Sequence, residues 1–302
     1  YANSRYTIAV TAVTHNGDQS YYAEPGANIL VAAPSDGDGE GITTTDIEGS
    51  GGYSSGDYTN GFGGTSSATP LVSGVIALML EANENLTWRD VQHIIVHTSR
   101  QNDASDSSWN TNGAGHDVSH KYGYGVIDAG AAVALAENWT TVGSEFNTTS
   151  GFISINQAIP DNTNTPVTDT VTISDSLQIE SVEIIVDIDH TYRSDLEIIL
   201  TSPSGTESIL SEKHSDSNND YSDWMFGSVH HWDEISSGDW TISVEDQGNN
   251  DAGTFNDWEL IIHGTIVNLD SDNDGISDEN ETDVYGTDPY DADTDNEDRK
   301  SV

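Results

Sequence analysis

The periodicity of apolar residues changes near Trp139, and this change constrains the fold more than any other feature of the sequence. Before it, Tyr6–Val13 alternates like a strand and Ile29–Ala33 has the pattern of a short buried strand. Pro70–Glu81 is apolar nearly all round, which predicts a buried helix. Strands that alternate with helices predict an α/β layer architecture for residues 1–139.

Two further helices are predicted in the same part of the chain. Thr87 begins one of them with the pattern of a capping box, in which Asp90 takes the place usually held by glutamate, and this helix should run to about Thr98. A helix of small residues should follow Asp128. The stretch 37–64 is rich in Gly, Ser, Thr and Asp and therefore predicts loops.

Residues 140–266 have almost no helical periodicity. Short runs of β-branched residues recur between turn signals, at Ser181–Asp187, Leu196–Thr201, Trp240–Val244 and Trp258–His263. This pattern predicts an antiparallel β-sandwich. The last stretch, 267–302, is acidic and too poor in apolar residues to fold without a ligand. The sequence therefore predicts three parts, namely residues 1–139, 140–266 and 267–302.

The chain has 52 acidic and 8 basic side chains among its 302 residues, a net charge of −44. Such a surface repels nucleic acid and anionic lipid and attracts cations and basic peptides. It is typical of a salt-adapted or marine protein with a solvated acidic surface, and it is equally compatible with acids that bind metal. The absence of cysteine excludes disulfides and thiolate metal sites, and for a secreted protein it favours a bacterial or archaeal source. The longest apolar run, Leu71–Leu80, is shorter than a membrane span, so we expect no transmembrane segment.

The segment Gly63–Pro70 (GGTSSATP) leads directly into the predicted buried helix. A serine hydroxyl is a poor nucleophile unless a base takes its proton and nearby donors stabilise the oxyanion. Unpaired backbone N–H groups at a helix N-terminus supply such donors, and glycines let a substrate backbone approach closely. The residues alone leave two interpretations open: Ser66 is a nucleophile, or Ser66 or Ser67 is only a helix N-cap.

The run Gly64-Thr65-Ser66-x-Ala68-x-Pro70 resembles the serine motif of subtilisin-like proteases, in which the third residue is the nucleophile. Flanking segments resemble the kexin/furin (proprotein convertase) branch of that family, and they include Asn83–His93, Ser119–Gly125, Trp139–Val142, Leu200–Thr206 and Ser237–Trp240. The resemblance covers roughly residues 1–266, with matching order and spacing.

This resemblance implies a calcium-dependent serine endopeptidase that cleaves proteins or peptides after basic residues. It implies the C-terminal part of an α/β subtilisin-like domain, followed by a jelly-roll P domain. Subtilisin-type triads run Asp, His, Ser along the chain, so the acid, the base and the oxyanion side chain are expected before Tyr1, with the specificity pocket. Without that N-terminal half we expect no activity. The rival interpretation is a non-catalytic binding or adhesion module that keeps a protease remnant.

Two other segments are similar to the aspartate and histidine motifs of the triad, which the resemblance implies lie before Tyr1. His263-Gly264-Thr265 spells the histidine motif of the family, but it follows the serine and ends a strand of the predicted sandwich. Ile185–Asp189 resembles an aspartate-bearing strand, but it lacks the expected glycine. We interpret both segments as structural.

The acidic tail contains a twelve-residue calcium-loop pattern, D-x-D-x-D-G-x5-E, which begins at Asp270. Its expected ligands are Asp270, Asp272, Asp274, the Ile276 carbonyl, Asp278 and Glu281. No pair of helices frames the loop, so it resembles a thrombospondin type 3 repeat and not an EF-hand. A second copy begins at Asp293 but departs from the pattern at Glu297-Asp298. The alternative is an acidic tail without a bound ion.

Glu24 is the remaining candidate metal ligand. By resemblance it aligns with a calcium ligand beside the specificity pocket of the furin branch, and its aspartate partners are expected before Tyr1. A single glutamate is also commonly just a solvated side chain, and the residues alone do not choose between these two interpretations.

Overall fold

The computed structural model describes residues 2–267, 287–288 and 290–291. The chain divides into two compact units, Tyr1–Thr265 and Ile266–Val302. The first unit contains both the segment of mixed helices and strands and the β-rich segment, and every site described below belongs to it. The predicted boundary between residues 139 and 140 stays a prediction.

The helical lobe extends from the first strand to the third helix. Its elements are β1 (Ala9–Val13), β2 (Ile29–Pro34), β3 (Ile42–Thr45), β4 (Tyr58–Phe62), α1 (Thr65–Ala82), α2 (Trp88–Thr98), β5 (Trp109–Thr111), β6 (Asp117–Ser119) and α3 (Ala129–Ala136). Strands β1 and β2 pair in parallel, whereas β3–β4 and β5–β6 are antiparallel hairpins. The three helices and the parallel pair enclose one apolar core, which confirms the α/β prediction.

Local sequence signals place most of these elements correctly. The capping box is present, because the Thr87 hydroxyl accepts the Asp90 N–H at 3.2 Å and the Asp90 carboxylate accepts the Thr87 N–H at 2.7 Å. The Asp128 carboxylate caps α3 through the N–H of Ala131 at 3.0 Å. The prediction of loops alone for residues 37–64 was wrong in part, since β3 and β4 form a hairpin there.

The prediction that the central helix is buried on nearly all sides was also wrong in part. Helix α1 buries one side against β1, β2 and α3, where the apolar core lies. Outside this buried side, Leu71, Leu78 and Leu80 are 40, 49 and 41% exposed. The helix is long and apolar enough to cross a membrane by length and composition alone, a test that core helices also pass. The chain therefore presents an apolar helix surface that no described residue covers.

The sandwich lobe contains nine strands. They are β7 (Phe146–Thr149), β8 (Ile153–Ile159), β9 (Val167–Ile173), β10 (Leu177–His190), β11 (Leu196–Thr201), β12 (Glu207–Ser211), β13 (Tyr221–Ser228), β14 (Gly238–Asp246) and β15 (Gly253–Ile266). One sheet has the order β13-β10-β15-β7, with β8 also paired to β15, and the other has the order β12-β11-β14-β9. Buried side chains from both sheets, including Trp240 and Trp258, form a second core, which confirms the predicted sandwich.

The two lobes meet through buried side chains. Trp232 of the sandwich lobe is 1% exposed and belongs to the core of the helical lobe. Arg89 of α2 donates from Nε to Glu180 Oε2 at 2.7 Å and from Nη2 to Glu180 Oε1 at 2.5 Å. A buried bidentate ion pair requires precise placement of both partners, so it fixes how α2 meets β10.

Candidate active site

Ser66 is the second residue of α1, and it is exposed. The helix begins after Gly64, which occupies the N-cap position with a φ of 78° in the left-handed region that glycine adopts easily. No side chain caps this end of the helix, so neither Ser66 nor Ser67 is the N-cap. Within residues 2–267, the Ser66 hydroxyl and backbone N–H have no hydrogen-bond partner.

The neighbouring serine has the opposite environment. Ser67 is 1% exposed, and its Oγ lies 2.6 Å from Ser35 Oγ and 3.0 Å from the Gly64 carbonyl oxygen. Ser35 Oγ lies 2.8 Å from the same carbonyl, so one of the two hydroxyls donates to the carbonyl while the other donates to its partner hydroxyl. These bonds attach the first turn of α1 to the end of β2. Ser67 is therefore a structural residue, whereas the Ser66 hydroxyl makes no hydrogen bond within the described residues.

Asp36 fixes the turn that leads into α1. Its Oδ1 accepts the Tyr22 hydroxyl at 2.5 Å and the Gly64 N–H at 2.6 Å. These two bonds, the Tyr22 bond above all, lower the pKa of Asp36 below its ordinary value. A Cβ on Gly63 would lie 2.0 Å from Asp36 Oδ1, so only glycine fits there without displacing the carboxylate. The double glycine is thus a requirement of this turn.

Sequence reasoning missed the residues that support the turn. Ser35 and Asp36 follow directly after the buried strand β2. Polar residues at the carboxyl end of a parallel strand are a known sign of a site, and this signal was available. Tyr22 gave no local signal, because only the folded chain brings its hydroxyl to Asp36.

The arrangement offers a free hydroxyl and a free N–H at the positive end of a helix. Within the described residues, no imidazole or carboxylate hydrogen-bonds Ser66. His263 lies in β15, where its Nε2 is 3.0 Å from Glu183 Oε2. Asp187 lies in β10 and accepts the side-chain amide of Asn256 at 2.6 Å. Both residues therefore make cross-strand contacts in one sheet of the sandwich.

Comparison with known proteins identifies the family of this chain. Residues 1–125 match the Subtilase family, and residues 179–262 match the Proprotein convertase P-domain. The chain belongs to the kexin/furin type of subtilisins with a P domain. The first matched segment lies in the helical lobe and includes Ser66, and the second lies in the sandwich lobe, from β10 to β15.

Several convertases are similar to this chain. It is 37% identical to furin of Bos taurus over 273 residues, which are 88% of this chain and 33% of that protein. It is 39% identical to proprotein convertase subtilisin/kexin type 6 of Homo sapiens, again over 88% of this chain, and 28% of that protein is covered. The chain therefore spans about a third of the length of these curated relatives.

A solved structure is also similar. The serine protease of Aeromonas sobria superposes with a TM-score of 0.75 at 25% identity, covering 85% of this chain and 57% of that one. In the complex of that protease with its chaperone, the TM-score is 0.78 at the same identity and coverage. The fold of both lobes is therefore found in a solved serine protease.

The candidate calcium ligands are less well defined than the serine. Glu24 is exposed and lines an open cavity of about 530 Å³ together with Glu212 and Asp216, whose carboxylate accepts Arg193 Nε at 2.8 Å. Within the described residues, Glu24 belongs to no group of three acidic or histidine side chains close enough to share an ion. Calcium takes about six to eight oxygens, so these residues alone do not form a site. The loop ligands between Asp270 and Glu281 lie outside the described residues.

Proposed function

We propose that the chain is the C-terminal part of a calcium-dependent serine endopeptidase of the subtilisin/kexin type, and that Ser66 is its nucleophile. One observation carries this proposal: Ser66 is exposed and uncommitted at the start of α1, on a turn held by Asp36. A nucleophilic hydroxyl must be free of structural hydrogen bonds, and the helix N-terminus supplies N–H donors for an oxyanion. Ser67 does not meet the first condition, because Ser35 holds its hydroxyl.

In the proposed reaction, Ser66 Oγ attacks the carbonyl carbon of the scissile peptide while an imidazole takes the hydroxyl proton. The carbonyl oxygen becomes an oxyanion, which the Ser66 N–H and the positive end of α1 stabilise. The C–N bond then breaks as the imidazole gives its proton to the leaving amine. Water attacks the resulting acyl-enzyme by the same route and releases the acid product.

We place the imidazole, its aspartate, the additional oxyanion donor and the specificity pocket in a segment that precedes Tyr1 in the full protein. The chain order Asp, His, Ser of subtilisin-type triads supports this placement. The exposed leucines Leu71 and Leu78, which lie two turns apart on one side of α1, also support it, because exposed apolar side chains that share a side are typical of a surface that another part of the protein covers.

The proposed substrates are proteins or peptides with basic residues before the cleaved bond. A net charge of −44 supports this choice, since an acidic surface attracts basic peptides and repels nucleic acid and anionic membranes. We propose a secreted or cell-surface protein of a salt-adapted bacterium, for which an acidic surface and a chain without cysteine are suitable. Calcium would be held by the loop 270–281, whose spacing of acidic residues supports that role.

The decisive experiment labels the full-length protein with a serine-directed fluorophosphonate and measures cleavage of a peptide with paired basic residues. We expect Ser66→Ala to abolish both labelling and cleavage. Ser73→Ala is the matched control: this exposed serine also lies on α1, and its hydroxyl bonds only the Thr69 carbonyl at 3.1 Å.

Labelling that survives Ser66→Ala in the folded protein would exclude Ser66 as the nucleophile. A folded full-length protein that neither labels nor cleaves would instead favour the non-catalytic binding or adhesion module.

A further inference from the structure

A histidine cluster, formed by His93, His97, His116 and Asp233, lies where α2 of the helical lobe meets the loop between β13 and β14 of the sandwich lobe. The mechanism proposed for Ser66 uses none of these side chains. Two of the histidines come from α2, the third from the turn between β5 and β6, and the carboxylate from the P-domain side.

Three members of the cluster bring their ligand atoms together. One atom each from His93, His97 and Asp233 lies within 4.8 Å of the other two. The two histidines are separated by one helical turn, so they share one side of α2, and this spacing is the one that helical zinc motifs use. The Asp233 carboxylate adds an oxygen ligand from the other lobe, with Oδ2 3.5 Å from His97 Nε2.

The third ligand is held in place by its surroundings. Asp233 has a φ of 64°, which is uncommon for a residue other than glycine. Its Oδ1 accepts the side-chain amide of Gln178 at 2.9 Å, while Oδ2 lies 2.8 Å from His116 Nε2. One oxygen is therefore occupied by an amide donor, and the other is directed to imidazoles.

The buried histidine also has the support that metal-binding histidines require. His93 Nε2 lies 3.0 Å from Glu180 Oε1, which the guanidinium of Arg89 also contacts. With that nitrogen protonated, the lone pair is on Nδ1, which accepts the Trp232 indole N–H across a long 3.3 Å. A zinc-bound histidine usually has a carboxylate hydrogen-bonded to one ring nitrogen and the lone pair of the other nitrogen directed at the metal.

We propose that His93, His97 and Asp233 bind a divalent transition metal ion of the zinc class, with water as the fourth ligand. Two imidazoles and one carboxylate suit zinc, whereas calcium prefers oxygen ligands alone. The side chain of His97 is 35% exposed, so a cation and a water molecule can reach the site. Helix α2 ends at Thr98, which places the negative end of its dipole beside the cation.

Binding requires a rearrangement of His97 and of the contact between His93 and Trp232. Zinc ligands at roughly 2.0–2.2 Å from the ion lie closer to one another than 4.8 Å, so the half-exposed His97 ring must rotate inward and Nδ1 of His93 must exchange the Trp232 bond for the metal. His116 then positions the Asp233 carboxylate from outside. The ion joins α2 to the P domain, so it acts on the contact between the lobes and is independent of the identity of the nucleophile.

The test titrates the full-length protein, carrying Ser66→Ala to prevent self-cleavage, with ZnCl2 in a calorimeter and with CoCl2 in an absorption spectrometer. Excess CaCl2 is present to occupy the acidic surface sites. We expect one zinc ion per chain with a Kd of about 1 µM or lower, together with the visible absorption of a four-coordinate Co²⁺ ion. The His97→Ala substitution should weaken zinc binding at least about tenfold and remove the Co²⁺ absorption.

Two further variants complete the design. Asp233→Asn tests the oxygen ligand with little change in shape, and His15→Ala is the control, because His15 is exposed and lies outside the cluster. His97 is itself exposed, so its loss should leave the apo protein folded. Zinc binding that is equal in His97→Ala and His15→Ala, or no four-coordinate Co²⁺ spectrum in the parent protein, would overturn the proposal.

Discussion

The Asp36 carboxylate accepts the backbone N–H of Gly64 at 2.6 Å, and this bond joins the end of β2 to the turn that presents Ser66. A charged acceptor that holds a backbone amide in this way is worth roughly 1.5–3 kcal/mol. The bond also fixes the position of the first N–H groups of α1, which the proposed reaction uses.

Substitution Asp36→Ala should therefore impair catalysis more than substrate binding. We expect kcat of the full-length protein to fall about 10- to 100-fold with little change in KM, because the reacting groups lose their fixed position. Steady-state kinetics with a basic peptide measure this split. The control is Asp38→Asn, which removes the charge of an exposed carboxylate whose hydrogen bond among the described residues is to Asn16 and which keeps a side chain suited to the positive φ of 53°, and equal kinetics in the two variants would contradict the positioning role.

The same turn predicts the effect of adding one methyl group. In Gly63→Ala the new Cβ would lie 2.0 Å from Asp36 Oδ1, so the turn must move, and we expect a loss of roughly 1–3 kcal/mol of stability as well as activity. In Gly130→Ala, on the exposed side of α3, the new Cβ would meet its nearest atom at an ordinary 3.5 Å. That variant should be neutral or stabilised by up to about 1 kcal/mol. The melting temperatures of the two variants are measured by thermal unfolding. Equal values would show that the turn is not tightly packed.

The ion pair between Arg89 and Glu180 predicts that the stability of the protein depends strongly on both side chains. Glu180→Gln leaves the buried Arg89 without its counter-charge, and Arg89→Met leaves the Glu180 carboxylate with His93 alone, so we expect about 3 kcal/mol of destabilisation for each. The double variant should lose far less than the sum, because no unpaired charge remains. A double-mutant cycle measured by denaturant unfolding gives the coupling, and additive effects would mean that the pair does not hold the lobes together.

Burial of His120 predicts a loss of stability in mild acid. Burial, followed by the charge of His231, lowers the pKa of His120 from 6.5 to about 4, and its Nε2 accepts the Ile209 N–H at 2.8 Å, which requires the neutral ring. Between pH 6.5 and about 4 the unfolded chain binds a proton that the folded chain does not. Stability should therefore fall by up to about 3 kcal/mol as the pH decreases through this range.

The variant His120→Gln isolates this effect, because its amide oxygen can still accept a backbone N–H while it does not titrate. Its stability should depend less on pH between 6.5 and 4 than that of the parent or of the exposed control His15→Gln. Parallel pH profiles for all three proteins would assign the acid sensitivity to other groups.

Calcium removal should destabilise the protein through the tail. At a hundredfold excess over its Kd, one ion that binds only the folded form adds roughly 3 kcal/mol, so chelation should lower the melting temperature and make residues 268–290 more sensitive to proteases. Asp272→Asn should reproduce the effect of the chelator, whereas Glu297→Gln, outside the twelve-residue loop, should not. A tail whose proteolysis is the same with and without chelator would count against the calcium site.

Signals that depend on neighbours in the chain were readable from the sequence. The capping box at Thr87 and Asp90 and the alternation in Leu196–Thr201 each act over a few residues, so their consequences appear in the one-dimensional pattern. These signals predicted the layer architecture, the sandwich and the place of Ser66 at the start of a helix.

The family motif pointed to Ser66, but only the tertiary structure gave the physical difference from Ser67, because that difference depends on Ser35, which folding brings to one hydroxyl and not to the other. It also assembled His93 and His97 with Asp233, and it left one side of an apolar helix exposed. Contacts of this kind join residues far apart in the chain through space, and no local pattern of residue types encodes which distant groups will meet.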